Sequence, residues 1–183
     1  MAKRIIVKPG DIFCIELDTD KKCYFQYLTK DIEQLNSDVI RVFKTIYPKN
    51  IEPTYEEIVS DEISFHVHTF VNFWAKKGYW NKVGKAVIEK GACNIYFKTY
   101  EEDDKKTEWR IWKVNKYDRF CKWITKRLYE KAEWGEVVPA KNVIQKITNG
   151  FLIKYLYEME QDYKNGKKNM GIISLFDIFK KKK

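Results

Sequence analysis

The chain is constrained most by short aromatic runs in which apolar residues recur at every second position, with polar turns between them. In "KPGDIFCIELD", Phe13, Ile15 and Leu17 fall on one side of an extended strand and Ile12, Cys14 and Glu16 on the other. The turn "DTDKK" and the run "CYFQYL" follow, so residues 11–28 predict an antiparallel hairpin. Pro9 and Gly10 suit the turn that enters it, and an aspartate at position 11 can bond the backbone nearby. "NIYFKTY", the acidic turn "EEDDKK" and "TEWRIWKV" repeat the pattern, with Trp109 and Ile111 on one face and Arg110, Trp112 and Val114 on the other. Between the hairpins, residues 39–47 are β-branched and end at Pro48, and residues 62–71 alternate again with Ile63, Phe65, Val67, Thr69 and Val71 in phase.

The periodicity changes after Asn115. Tyr117, Phe120, Cys121, Ile124 and Leu128 recur at three- and four-residue intervals, which predicts an amphipathic helix ending near "AEWGEVVP". A short helix should open near Pro139 and stop at Gly150, and "FLIKYLYEMEQDY" resumes the helical pattern with Phe151, Ile153, Leu156 and Met159. "NFWAKKGYWNKVGK" reads as a partly helical or looped connection. Strands come first and helices later, without the regular alternation of a parallel sheet. The expected fold is therefore α+β: a bent antiparallel sheet or half-open β-barrel in the N-terminal two-thirds, with helices in the C-terminal third. A length of 183 residues suits one domain over residues 1–163 followed by a basic tail, 164–183.

Charge is concentrated in that tail. Seven lysines against Asp177 give it +6 of the net +9, so the remaining residues carry an ordinary +3. "MGIISLFDIFKKKK" suits a terminal element docked on the domain, with partner binding or weak membrane contact through its lysines as the other readings. No apolar run is long enough to cross a bilayer as a helix, and Asp11, Glu16 and Asp18 interrupt the first hydrophobic stretch before it could act as a secretion signal. A cytoplasmic location follows as an expectation. Cys14, Cys23, Cys93 and Cys121 are scattered, without metal or redox spacing, and read as reduced packing thiols.

The chemistry-bearing patterns are sparse. In "FHVH", His66 and His68 share one face of a strand as two metal ligands would, but the acid that should follow at short spacing is replaced by Asn72 and Phe73. Ordinary hydrogen-bonded imidazoles are the simpler reading. A nucleophile built from a cysteine and one of these histidines has no local signature. Nucleophile-elbow, phosphate-loop and dinucleotide motifs are absent, and no cofactor is implied. The acidic runs 18–20 and 101–104 sit between strands beside lysines, as solvated turns do. Aromatic and basic residues interleave in "EWRIWKV" and "CKWITKRLY", as on single-strand nucleic-acid platforms, but a strand or helix with one buried face produces the same alternation.

"VKPGDIFCIELDTDKKCYFQYL" resembles the start of a family of immunity proteins from bacterial polymorphic toxin systems, the group numbered 26 among them. The strand at 39–47, the Gly/Trp-rich "KKGYWNKVGK", "EWRIWKV" and an ending near "NVIQKITNG" are compatible, so the resemblance spans residues 5 to about 150. "GDI" before alternating apolar residues is also similar to the first strand of PemK- and MazF-like endoribonuclease toxins, but their arginine- and proline-rich continuation is missing after "ELDTDKKCYF". The immunity resemblance implies a non-catalytic protein whose partner is a cognate protein toxin. Affinity would then rest on a few aromatic anchors, for which Tyr79, Trp80, Trp109, Trp112 and Trp134 are the candidates. A nucleic-acid-binding module and a metal-dependent enzyme built on His66 and His68 are the alternatives.

Overall fold

Two sheets, the first antiparallel and the second antiparallel except where β11 (Glu133–Trp134) runs parallel to β7 (Tyr96–Glu102), pack on each other at one end of the computed structural model. It describes residues 6–102, 107–116, 119–121 and 124–150, and beyond these 157–158, 161–162, 165 and 172–173. The first sheet contains β1 (Asp11–Glu16), β2 (Lys21–Asp31), β3 (Ser37–Phe43), β4 (Tyr47–Pro48), β5 (Ile63–Thr69) and β6 (Asn81–Lys85). Its order is β5-β3-β2-β1-β6, with β4 paired to the start of β2. The helices α1 (Tyr55–Ser60) and α2 (Val71–Lys76) flank β5 in sequence. β7 (Tyr96–Glu102), β8 (Thr107–Lys113), β9 (Arg119–Cys121) and β11 (Glu133–Trp134) build the second sheet in the order β11-β7-β8-β9. β10 (Ile124–Thr125) leads into α3 (Lys126–Lys131), α4 (Ala140–Asn149) follows β11, and β12 (Ile172–Ile173) lies parallel to β10. The fold is α+β, mainly antiparallel sheet in the first two-thirds. The two outer strands of the first sheet, β5 and β6, do not pair with each other, so it stays open.

The turn before β1 shows how the local sequence starts the sheet. Gly10 has φ of +93°, and a Cβ there would meet the Ala86 carbonyl oxygen at 2.7 Å. The glycine N–H donates to Tyr27 O (2.8 Å), and its carbonyl accepts from Ala86 N (3.0 Å), so this one residue bridges the strands on both sides of β1. Asp11 accepts the Lys8 N–H at 2.8 Å and pairs with Lys82 Nζ at 2.7 Å, fastening the turn to β6. The carboxylate is buried and works locally, as a turn aspartate does.

From here the alternation resolves into two buried faces. Phe13 stands opposite Phe25 with rings stacked at 5.0 Å, and Ile15, Ile40, Val42, Phe65 and Val67 join them beneath α2 and α4. The opposite face packs Ile12, Tyr24 and Phe43 on Ile58 of α1 at one end. At the other end Leu28 and Val39 meet Phe97, Trp112 and Val114 of the second sheet. β8 alternates as its sequence predicts: Trp109 and Ile111 enter a fourth cluster with Ile124 and Trp134, while Trp112 and, just past the strand, Val114 face the first sheet. Trp112 is in turn clamped by backbone, since a Cβ on Gly135 would lie 1.9 Å from the indole. Burying aromatic side chains on this scale is the dominant stabilisation, about 1.5–3 kcal/mol for a fully buried large apolar side chain.

The helix expected across Tyr117 to Leu128 is corrected. Arg119, Phe120 and Cys121 form a strand because β8 offers them an antiparallel edge, with Arg110 opposite Phe120 and Trp109 opposite Cys121. Sheet pairing overrides a helical spacing that was itself short. Helix begins only at α3, where the Thr125 hydroxyl accepts the Leu128 N–H. The helix from Pro139 to Gly150 forms as read, the glycine closing it at φ of +82°. Helix α1 was not foreseen, although its Thr54/Glu57 capping box is a sequence signal. β6 was also missed within the segment read as helix or loop. Of the later helical segment, residues 157–158 and 161–162 are helical, whereas Phe151, Ile153, Leu156 and Met159 lie outside the described residues. So do the tip of the acidic turn at 103–104 and all of the tail except Asn165, Ile172 and Ile173.

Candidate functional site

The residues that could carry chemistry are best followed along β5. His68 is completely buried, with Nδ1 2.9 Å from Ser37 Oγ and Nε2 3.8 Å from Asp31 Oδ2. Asp31 itself accepts from Trp112 Nε1 (3.2 Å) and Asn115 N (3.1 Å), tying the end of β2 to β8 and its following turn. Serine, histidine and aspartate thus meet in one place, the ingredients of a nucleophilic triad. All three are sealed from solvent, and the Phe97 ring stands 4.2 Å from the imidazole. A substrate cannot reach the hydroxyl. The cluster is a polar joint between the sheets, and burial holds the His68 pKa down at about 4, so the ring is neutral.

His66 belongs to a different neighbourhood. Its backbone N–H donates to Glu133 Oε1 at 2.9 Å and its ring lies 3.7 Å from the same oxygen. The two imidazoles therefore lie near two separate carboxylates, His68 without a hydrogen bond to Asp31, and among the described residues no three His, Cys, Asp or Glu side chains converge as metal ligands. The three described thiols offer no activated nucleophile either. Burial pushes Cys14 and Cys93 up, and Cys23 up to about 12, the reverse of what a reactive thiolate needs. The Cys121 side chain lies outside the described residues.

The five aromatic candidates divide sharply. Trp80, Trp109, Trp112 and Trp134 are buried. Trp80 packs edge-on against Phe25 at 5.1 Å and donates its indole N–H to Val71 O at 3.0 Å, while Trp109 and Trp134 share one cluster. The rings of β8 are thus occupied in the core and offer no stacking surface for bases. Tyr79 alone is partly exposed, and it leads to a feature that the sequence reading did not single out.

That feature is α2. Val71 and Ala75, four apart, face the core, and the Asp38 carboxylate accepts the Val71 N–H at 2.8 Å in place of a side-chain cap from Phe70. The opposite side of the same turn carries Phe70 and Phe73, three residues apart and 47% and 50% exposed. An open groove of about 630 Å³ runs here, lined by Lys30, Asp38, Phe70, Asn72, Phe73, Trp74 and Lys76. Phe73 meets Trp74 edge to face at 4.7 Å, and Trp74 meets Tyr79 in the same way at 5.3 Å. The exposed ring is therefore braced by half-buried ones. A visible signal existed in the run "TFVNFWAKKGYW", which holds more aromatics than the inward face of a six-residue helix can bury.

A second groove, of about 540 Å³, lies between α1 and β6 and is lined by Tyr24, Glu52, Pro53, Thr54, Tyr55, Glu56, Ile58 and Val83. Its ionisable rim is acidic, whereas lysines dominate the rim at α2.

The fold is thus an open antiparallel sheet braced by a second sheet, with a sealed polar joint between them and an aromatic groove on its surface. A sequence model of the family described as Immunity protein 26 matches residues 8–110, more than half of the chain. The chain belongs to that family. Comparison with curated proteins and with solved structures finds no match. The matched stretch runs from the turn before β1 into β8 and includes every residue that lines the α2 groove.

Proposed function

We propose that this immunity protein neutralises a cognate toxin, delivered by a neighbouring bacterium, by binding it directly and without catalysis in the cytoplasm. Family membership over residues 8–110 carries the reading. The physical requirements of such an inhibitor agree with it. A tight inhibitor gains from a surface already in its bound shape, because less ordering entropy is lost on association. Here the exposed rings sit on a helix fastened by Asp38 and braced by Trp74 and Tyr79.

The experiment is co-expression with a candidate toxin encoded by an adjacent gene, followed by titration of the purified toxin's activity. A binding inhibitor restores growth and brings activity to zero at an equimolar ratio. An enzyme that repairs toxin damage would protect at far lower ratios without forming a stable complex. Unprotected cells together with no complex between the purified proteins would overturn the proposal.

A further inference from the structure

The groove at α2 also states what kind of partner surface suits it. Lys30 and Lys76 line it, and Lys77 places its Nζ 5.8 Å from the Phe73 ring centroid. None of these three lysines has an ion-pair partner among the described residues. Elsewhere on or beside the same sheet, Lys22 pairs with Glu52, Lys44 with Glu62, Lys49 with Glu16 and Lys82 with Asp11, while Lys21 and Lys85 stand singly on separate strands. The one carboxylate in the groove, Asp38, is already engaged by the Val71 N–H and by the Tyr27 side chain. Asp38 also offsets part of the Lys30 charge, so the rim presents the uncompensated positive charge of Lys76 and Lys77 around two exposed phenylalanines. Two further groups on the wall, Asn72 Oδ1 and Trp74 Nε1, lack a hydrogen-bond partner among the described residues, one an acceptor and the other a donor.

From this juxtaposition we infer that the groove receives an acidic segment of the toxin, which seats an apolar side chain against Phe70, Phe73 and Trp74 while its carboxylates face Lys30, Lys76 and Lys77. The inference rests on the inhibitor reading above. Desolvated aromatic anchors determine how long such a complex lasts, and rim charges govern how quickly it forms. The two contributions can be measured separately.

The test uses the full chain and a catalytically disabled form of the neighbouring toxin domain, with association and dissociation rates followed by surface immobilisation at two salt concentrations. Phe73→Ala should weaken affinity at least tenfold, mainly through faster dissociation. Lys76→Glu combined with Lys77→Glu should slow association about tenfold at low salt and remove most of its salt dependence. Ile46→Ala, an exposed apolar change beyond the opposite end of β3, should alter neither rate. Circular dichroism confirms folding, and the lysine variant, altered only at exposed positions, keeps the test decisive if Phe73→Ala is misfolded. A complex whose rates are the same in all variants overturns the groove and leaves the inhibitor reading standing. No complex with the unaltered chain overturns both.

Discussion

At the scale of single residues, His68 shows how a side chain that looks catalytic is used for folding. The imidazole is enclosed by Phe97 and Trp112 and faces Ser37 and Asp31. Burial lowers its pKa to about 4, while an exposed histidine titrates near 6.5. As pH falls through that window, the unfolded chain takes up the proton first, so stability is lost between about pH 6.5 and pH 4. The expected loss is on the order of 3 kcal/mol, read from urea unfolding at a series of pH values. Burial raises Asp38 and Glu136, which opposes this slope, whereas Glu57, Glu89 and Glu133 are held below the usual carboxylate range and add to it, so the comparison with His68→Gln isolates the imidazole. In proton NMR of the two histidines, the His68 ring should remain neutral at pH 5. A ring that titrates near 6.5 would contradict the sealed joint.

At the scale of elements, a buried lysine adds polar bonds to the apolar contact between the second sheet and α3. Lys98 on β7 donates to Tyr129 O (2.7 Å) and Ala132 O (2.5 Å), the open carbonyls at the end of α3, and lies over the Tyr129 and Trp134 rings. A cation at a helix C-terminus is favoured both by the helix dipole and by the unsatisfied carbonyls. Lys98→Met preserves most of the volume but removes the donors, leaving buried carbonyls without partners. It should cost roughly 2–4 kcal/mol in chemical denaturation. Hydrogen exchange should become faster in α3 than in β1 and β2, whereas uniform acceleration would show that Lys98 does not act locally. The sequence does not advertise this role, because an interior lysine in a strand looks like any solvent-facing lysine until α3 is placed against it.

At the scale of the whole molecule, the chain returns late to an early surface. Ile172 and Ile173 pair with Ile124 and Thr125, so residues far apart in sequence share a short parallel ladder. Ending the chain at residue 163 removes that strand and should uncover Ile124, which is 1% exposed in the full protein. Amide exchange near Ile124 and Leu128 should then rise at least tenfold while β1, β2 and β3 keep their protection. Unchanged exchange would mean that the ladder contributes nothing.

The alternation in residues 11–28 and 96–113 determined both hairpins, and the capping signals determined α4, because these depend on neighbours a few residues away. Gly10 and Asp11 were legible as a turn for the same reason, and the opening stretch also carried the family resemblance. Tertiary structure decided the rest. It turned Arg119–Cys121 into a strand by giving it an edge at β8, and it buried the tryptophans that looked available for binding. It also left Phe70 and Phe73 outside. Whether an aromatic ring is anchor or core depends on what packs over it from distant parts of the chain, and local periodicity holds no record of that.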